Sequence, residues 1–398
     1  MNLRDLMSGI GVVIDDALGR KVTGSDSSDR DRIVDIVRQF ENLWCTPFYR
    51  ASQMPEDDMW DNLLESAGFI LLDWRLWPSG ARELERHGIA RNVAFLERAK
   101  AHSVPVFIFT NEDTDQIEYE LQPVYDGESL KRSFVFIQRK GDLLSNDLLS
   151  LDAVEDWVRG NPSVYTLKTW DRVLGAARRD LFGSMYARSP EWPRVFWNEY
   201  VKDGVDPSSA LTELITDSLR GRMQASAFET SALGIGNSDD LRAPGEDLHA
   251  LLSATTVLDT VPEHEVRCGD LFDADDGGYL LNIRPDCDCV PRDGRELGEI
   301  ELYCIEGKIM EPKEVRKKYR PRGGYLEERI NQAIVFAAGD GRSIDFDFAR
   351  FRVEKFEVWK NRRVGRLLHP YLTRIQQRYA LFLQRQGLPR VPRQALPR

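Results

Sequence analysis

Residues 69–77 read FILLDWRLW, and this stretch decides how the first part of the chain is interpreted. Four apolar residues are followed by one carboxylate, Asp73. A continuous apolar run of this length is typical of a strand buried on both faces, as in a parallel sheet covered by helices. The carboxylate then has two interpretations. Asp73 either marks the point where a strand ends in a loop, or it belongs to a reaction centre that needs partners elsewhere in the chain.

Short apolar runs alternate with longer amphipathic runs over residues 1–160. The predicted strands are GVVID (11–15), 46–50, FILLD (69–73), VPVFIFT (104–110) and SFVFIQ (133–138), and the predicted helices are 28–43, 56–66, 91–101, 114–126 and 146–159. This alternation indicates an α/β domain with a flavodoxin-like, doubly wound parallel sheet of five strands. The site of such a domain lies beyond the carboxyl ends of its strands.

The pattern changes after residue 160. Amphipathic helical stretches predict a helical connector at 161–255, and alternating strands punctuated by Gly, Pro and Asp predict a β-rich, barrel- or sandwich-like domain at 256–360. A basic C-terminal helix and tail at 361–398 complete the four predicted parts. The chain has neither a basic leader nor an apolar run of the roughly 18 residues that a membrane span needs, which predicts a cytoplasmic protein with no membrane partner.

Polar side chains follow four of the predicted strands. Asp15 and Asp16 follow the first strand, Asp73 ends the third, Thr110 ends the fourth, and Lys140 stands after the fifth. In a doubly wound sheet these ends converge on one crevice, where three carboxylates repel one another. A divalent cation with a preference for oxygen ligands, Mg²⁺, is therefore expected between them.

This constellation resembles the receiver domain of two-component response regulators, in the elements GVVIDD, FILLDWRL, VFIFTNED and FIQRK. The resemblance covers about 40% of the chain, residues 1–160. It implies that Asp15, Asp16 and Asp73 bind Mg²⁺, together with the backbone carbonyl of Arg75. It also implies that Asp73 accepts a phosphoryl group from the phosphohistidine of a partner histidine kinase.

The same resemblance implies that Thr110 reports the phosphate and that Lys140 pairs with it. Arg139 precedes Lys140, so the identity of the pairing cation stays open at this point. The chain departs from the family pattern at Asn111, where a small residue is common, and at Gly141, where proline is common. These departures bear on output switching more than on the acidic site.

The resemblance implies no enzymatic activity beyond Mg²⁺-dependent self-phosphorylation at an aspartate. We expect a relay, a scaffold or a phosphate buffer, with a second regulator or effector protein as a further partner. GDLF…GYLLNIRPDCD resembles segments of bacterial proteins encoded near defence genes, and Detocs-type antiphage two-component operons include such a regulator without an effector enzyme. Two alternatives stay open: an interaction protein with a degenerate receiver, and a nucleic-acid-binding regulator that uses the basic tail.

Four of the five cysteines fall in the predicted β-rich region. Cys268, Cys287, Cys289 and Cys304 have the spacing C-x18-C-x-C-x14-C. Four thiolates can bind zinc, but this spacing lacks the paired C-x2-C knuckles of a zinc site. Free cysteine is also a common core residue, which favours buried thiols over zinc or a reactive Cys287. The odd cysteine count argues against a disulfide scaffold.

The end of the chain is basic although the formal net charge of the whole chain is -11. From Trp359 onwards there is no Asp or Glu. A helix is predicted from about 371 to 386, with Leu372, Ile375, Tyr379 and Leu383 on one face. The favoured interpretation is a helix docked on the β-rich domain with solvated arginines. Binding to nucleic acid or to an acidic partner surface stays open.

Overall fold

The structure is a computed structural model of the chain. It describes residues 7–19, 27–77, 82–125, 130, 133–145, 148–149, 152–223, 233, 245–274, 277–291, 295–311, 313–315, 331–336 and 343–385. Its residues group into two units, Met1–Pro190 with Thr216–Asp239, and Glu191–Ile215 with Asp240–Arg398. The four-part division expected from the sequence stays a prediction.

A five-stranded sheet forms the centre of the first unit. Its strands are β1 (Ile10–Ile14), β2 (Phe48–Ala51), β3 (Ala67–Leu72), β4 (Val106–Thr110) and β5 (Val135–Arg139), in the order β2-β1-β3-β4-β5. Every adjacent pair of strands is parallel, which confirms the predicted parallel sheet. The strand order reverses between β1 and β3, and the switch point of a doubly wound sheet is where ligands bind.

Helices cover this sheet. They are α1 (Ser27–Trp44), α2 (Trp60–Ser66), α3 (Arg82–Ala101), α4 (Thr114–Glu120), the one-turn α5 (Lys140–Leu143), α6 (Asp152–Gly160) and α7 (Pro162–Arg188). Short strands β6 (Leu144–Ser145) and β7 (Leu148–Leu149) pair with each other. Consecutive strand residues enter two different apolar cores: Val13 and Leu71 belong to one, and Val12 and Ile70 to the other. This burial on both faces explains why the strands are continuously apolar.

A buried lysine ties α7 to the amino end of β3. Lys168 is 4% exposed, and its ammonium donates a hydrogen bond to the backbone carbonyl of Gly68. Burial lowers the pKa of Lys168, although the nearby carboxylate of Asp171 opposes that effect. The neighbouring Val164 and Tyr165 pack in the core beneath the sheet. The first turns of α7 are therefore fixed to the sheet by both apolar and polar contacts.

An antiparallel sheet dominates the second unit. Its strands are β8 (Val257–Leu258), β9 (Asp270–Asp273), β10 (Gly278–Asn282), β11 (Glu301–Met310), β12 (Gln332–Phe336), β13 (Ser343–Lys355) and β14 (Arg363–Leu367), in the order β12-β13-β11-β10-β9-β14-β8. The remaining α-helices of the described chain are α8 (Trp192–Lys202), α9 (Pro207–Arg222), α10 (Gly245–Thr256), α11 (Asp286–Cys289), α12 (Phe356–Trp359) and α13 (Tyr371–Leu383). The predicted β-rich character of this region is confirmed.

The C-terminal helix α13 packs on this sheet. Leu372, Ile375 and Phe382 lie in the same apolar core as residues of the sheet strands. The prediction that Leu383 shares the buried face was wrong, because its side chain is 63% exposed. Phe382 takes that place and contacts the ring of Phe348, with centroids 6.0 Å apart. None of the helices in the described residues is both long and apolar enough to cross a membrane.

Candidate functional site

Two carboxylates and one ammonium meet at the carboxyl edge of the parallel sheet. The Nζ atom of Lys140 lies 2.6 Å from Oδ2 of Asp15 and 3.0 Å from Oδ2 of Asp73. Asp15 is 1% exposed, Asp73 is 9% exposed and Lys140 is 1% exposed. The structure thus brings together residues that the sequence placed on three different strand ends, with one ammonium bridging both carboxylates.

The parallel pairing of β1 and β3 sets the positions of the two aspartates. Ile14 and Leu72 are register partners, so Asp15 and Asp73 each lie one residue beyond a paired position. The backbone N–H of Asp73 donates to the carbonyl of Ile14 at 2.9 Å, which extends the ladder to the site. Oδ1 of Asp15 accepts the backbone N–H of Ala17 at 2.9 Å. Asp15 therefore keeps a fixed rotamer, with its other oxygen directed to the ammonium.

Burial and charge oppose each other in this site. Burial raises the pKa of Asp73 to about 6, although the Lys140 ammonium acts to lower it. Burial likewise raises the pKa of Asp15. Burial alone would lower the pKa of Lys140, but the carboxylates of Asp73 and Asp15 outweigh it and the pKa is raised. The ammonium is therefore firmly charged, while the carboxylates bind protons more readily than exposed aspartates do.

Asp16 completes a set of oxygen ligands for a cation. Ligand atoms of Asp15, Asp16 and Asp73 all lie within 4.8 Å of one another. Three carboxylates and one ammonium give the ionised site a net charge of -2, which a divalent cation would neutralise. The donors are all hard oxygen atoms, as Mg²⁺ prefers, and the residues present fit that ion.

Thr110 and Lys140 lie on the two remaining strand ends of the site. Thr110 is fully buried at the end of β4, and its Oγ1 accepts the backbone N–H of Glu112 at 3.1 Å. The hydroxyl hydrogen of Thr110 is thereby left to donate elsewhere. The neighbouring Arg139 is exposed, whereas Lys140 is turned inwards. Lys140, rather than Arg139, is therefore the cation that contacts the carboxylates of the site.

A second layer of contacts around Asp73 was not predicted. The indole Nε1 of Trp74 donates to Oε2 of Glu120 at 2.8 Å, and Nδ2 of Asn92 donates to the Trp74 carbonyl at 2.7 Å. Arg75 pairs with Glu112 at 2.9 Å. Only the proximity of Trp74 and Arg75 to Asp73 in the sequence was a signal for these contacts. Nothing in the sequence singles out Asn92.

The four cysteines considered for a zinc or thiol site belong to the second unit. Cys268, Cys289 and Cys304 are buried and Cys287 is exposed. Burial raises the pKa of Cys289 and of Cys304 to about 12, so both thiols are protonated near neutral pH. In the described parts of the chain, Asp15, Asp16 and Asp73 form the one group with metal-ligand geometry. Cys268, Cys289 and Cys304 are thus buried thiols, as the favoured interpretation of the sequence has it, and the less favoured zinc or thiol role stays untested.

Two arginines of the basic tail pair with acidic residues of their own unit. Asp270 is fully buried and accepts from Arg363 Nη1 at 3.1 Å and from Arg366 Nε at 2.6 Å. Glu265 accepts from Nη1 of Arg366 at 2.6 Å. These two guanidinium groups are thus committed to internal ion pairs. Arg390, Arg393 and Arg398 lie outside the described residues.

Comparisons with known proteins add no relative to this description. No protein-family model matches the chain, and searches of the curated proteins and of the solved structures found no match.

Proposed function

We propose that this chain is a response-regulator-like signalling protein in which Asp73 accepts a phosphoryl group from the phosphohistidine of a partner kinase. What supports the proposal is the Lys140 ammonium held between Asp15 and Asp73, with Asp16 within metal-ligand distance of both carboxylates. A nucleophilic carboxylate, a fixed cation and a place for Mg²⁺ are the parts that aspartyl phosphorylation needs.

In the proposed reaction, a carboxylate oxygen of Asp73 attacks the phosphorus atom of the donor. A P–O bond forms, the P–N bond to the imidazole of the donor breaks, and the electron pair leaves with that nitrogen. Lys140 is positioned to pair with a phosphoryl oxygen, and Thr110 to donate its hydroxyl hydrogen to another. Asp15, Asp16, Asp73 and the carbonyl of Arg75 are the groups that would hold Mg²⁺, which supplies neutralising charge for the incoming phosphoryl group.

The proposal is tested with a small phosphodonor, acetyl phosphate, and Mg²⁺. We expect intact-mass measurement to show one added phosphoryl group that is stable in acid and labile in base. Peptide mapping should place it on Asp73, and Asp73→Asn should remain unlabelled. Asp142→Asn is the matched control, because Asp142 is an exposed carboxylate just after Lys140. That control should label like the wild type.

Two results would contradict the proposal. One is the absence of any adduct on the folded wild-type protein at saturating Mg²⁺ and donor. The other is equal labelling of Asp73→Asn. Either result would favour the alternative of an interaction protein with a degenerate, unphosphorylated receiver.

For the cellular role we propose a relay, a scaffold or a phosphate buffer in a bacterial two-component system, of the kind found in antiphage operons. This part rests on the sequence resemblance alone. A partner kinase phosphorylated on histidine should lose its label to the wild-type protein and keep it in the presence of Asp73→Asn. A second regulator added afterwards would distinguish a relay, which passes the label on, from a buffer, which does not.

A further inference from the structure

Asn92 is a buried polar side chain on a helix face that otherwise packs apolar groups. It is 2% exposed, and the next buried residues along α3 are Phe95, Leu96 and Ala99, all part of one apolar core. Asparagine forms helices less readily than leucine or alanine, and a buried amide is costly unless it is hydrogen-bonded. Local helix propensity and core packing both disfavour this residue, and such a conflict is expected where a side chain serves a site.

The hydrogen bond of Asn92 is directed at the segment that follows Asp73. Its Nδ2 donates to the backbone carbonyl of Trp74 at 2.7 Å. Because a peptide unit is planar and trans, fixing this carbonyl also fixes the Trp74–Arg75 peptide plane. The Arg75 carbonyl, one peptide further on, is a proposed ligand of the cation. Asn92 therefore fixes the peptide that immediately precedes the Arg75 carbonyl.

The other contacts of residues 73–75 do not hold the Trp74–Arg75 peptide. The indole of Trp74 is held by Glu120 and the guanidinium of Arg75 by Glu112, but both of these contacts involve side chains. The backbone N–H of Asp73 is bonded to Ile14, one residue before the peptide in question. Among the contacts described for this segment, the bond from Asn92 is the one that holds the Trp74 carbonyl itself.

We propose that Asn92 is a positioning residue for the cation site: it fixes the Trp74–Arg75 peptide so that the Arg75 carbonyl is presented to Mg²⁺. This inference rests on the proposed function, since it assumes that the aspartate cluster binds Mg²⁺. Groups that orient metal ligands from outside the coordination shell typically contribute about 10- to 100-fold to metal affinity. An effect of that size is measurable without any phosphoryl donor.

The test compares Mg²⁺ affinity by isothermal titration calorimetry in the wild type, Asn92→Leu and Leu96→Ala. Asn92→Leu removes the donor and keeps the side-chain size. Leu96→Ala, one turn along the same helix, creates a cavity without touching the Trp74 carbonyl. We expect Asn92→Leu to weaken Mg²⁺ binding about tenfold or more. The affinity of Leu96→Ala should be unchanged, although its thermal unfolding temperature falls. If Asn92→Leu does not fold, Asn92→Ala is measured in its place.

The results that would overturn the role of Asn92 differ from those that would overturn the proposed function. If Asn92→Leu binds Mg²⁺ as tightly as the wild type, and the wild type is phosphorylated on Asp73, the positioning role is wrong and the proposed function stands. Equal weakening in Leu96→Ala would also overturn the role, because general destabilisation would then explain the effect. A wild-type protein that neither binds Mg²⁺ nor accepts phosphate would overturn the proposed function and this inference together.

Discussion

The ammonium of Lys140 lies 2.6 Å from a carboxylate oxygen of Asp15, although 125 positions separate the two residues in the sequence. Asp15 follows β1 and Lys140 follows β5, and strands β3 and β4 lie between these two strands in the sheet. Neighbouring strands are about 4.8 Å apart, so β1 and β5 are separated by about 14 Å. The Lys140 side chain reaches back across the carboxyl edge of the sheet towards β1.

Removing the ammonium should destabilise the protein. We expect Lys140→Met to lower the free energy of unfolding by about 3–5 kcal/mol, because two buried carboxylates lose their counter-ion. Urea denaturation with EDTA present is the measurement. Arg139→Met, a change to the exposed cation next door, is the control and should have little effect. Comparable losses in both variants would show that the ion pair is not specifically stabilising.

Stability should depend on pH through Asp73. Its pKa in the folded protein is raised to about 6 from an ordinary value of 3.8, so the folded state holds this proton more tightly than the unfolded state. The free energy of unfolding should therefore fall as the pH rises from about 4 to 6, by up to about 1.4 kcal/mol per pH unit from this group. Urea denaturation of metal-free protein across this range should show the decline, and Asp73→Asn should show a shallower one. An identical pH profile for both proteins would contradict the assignment.

Mg²⁺ should stabilise the folded protein, because a ligand that binds only the folded state raises the unfolding temperature by mass action. Differential scanning fluorimetry with increasing Mg²⁺ measures the shift, and EDTA should reverse it. Asp16→Asn should abolish most of the shift, whereas Asp142→Asn should keep it. A shift that survives in Asp16→Asn would place the bound ion elsewhere.

Thr110→Val should slow phosphorylation without unfolding the domain. Valine has nearly the same shape, so the buried position stays filled, but the hydroxyl that would contact the phosphoryl group is lost. Removing one such donor typically lowers a rate about a hundredfold. The initial rate of acetyl phosphate labelling is the measurement, with circular dichroism as the check on folding. An unchanged rate would remove Thr110 from the reaction.

The ion pairs of Asp270 should stabilise the folded protein. Asp270→Ala leaves Arg363 and Arg366 without their shared carboxylate, and breaking such a buried pair costs about 3–5 kcal/mol. Asp273→Ala, on the same strand but exposed, is the control. Urea denaturation of the full chain should show a large loss for the first variant and little for the second. Equal stability of the two variants would contradict this role.

The strand ends of the first unit could be predicted because their signal is local. Each buried strand is a continuous apolar run, and Asp15, Asp73 and Thr110 are the polar residues that end three of those runs. The ends of the helices could be predicted less well. The first turns of α3 are mostly charged and carry little apolar periodicity, so a helix predicted at 91–101 begins at Arg82. Likewise, α4 ends at Glu120, although the predicted helix runs to 126.

The contacts around the site are long-range, and the sequence carries no pattern for them. Asn92 looks like any polar helix residue until its partner, the Trp74 carbonyl, is known. The buried partners of Asp270 lie more than 90 positions away in the sequence. Helix α13 shows the same limit at shorter range, because Phe382 and Leu383 are both apolar and only the packing against Phe348 decides which one is buried.

The hydrogen bond from Lys168 to Gly68 anchors β3 at the end opposite Asp73. Asp73 follows the carboxyl end of this strand, while the first turns of α7 are fastened at its amino end. With 27 residues, α7 is a rod about 40 Å long. The helix is also held further along its length, because Ala177 and Leu181 are buried and Asp180 pairs with Arg222 of α9 at 3.0 Å. Strand β3 is therefore anchored at both ends: Lys168 holds its amino end, and the bond from the Asp73 N–H to the Ile14 carbonyl holds its carboxyl end.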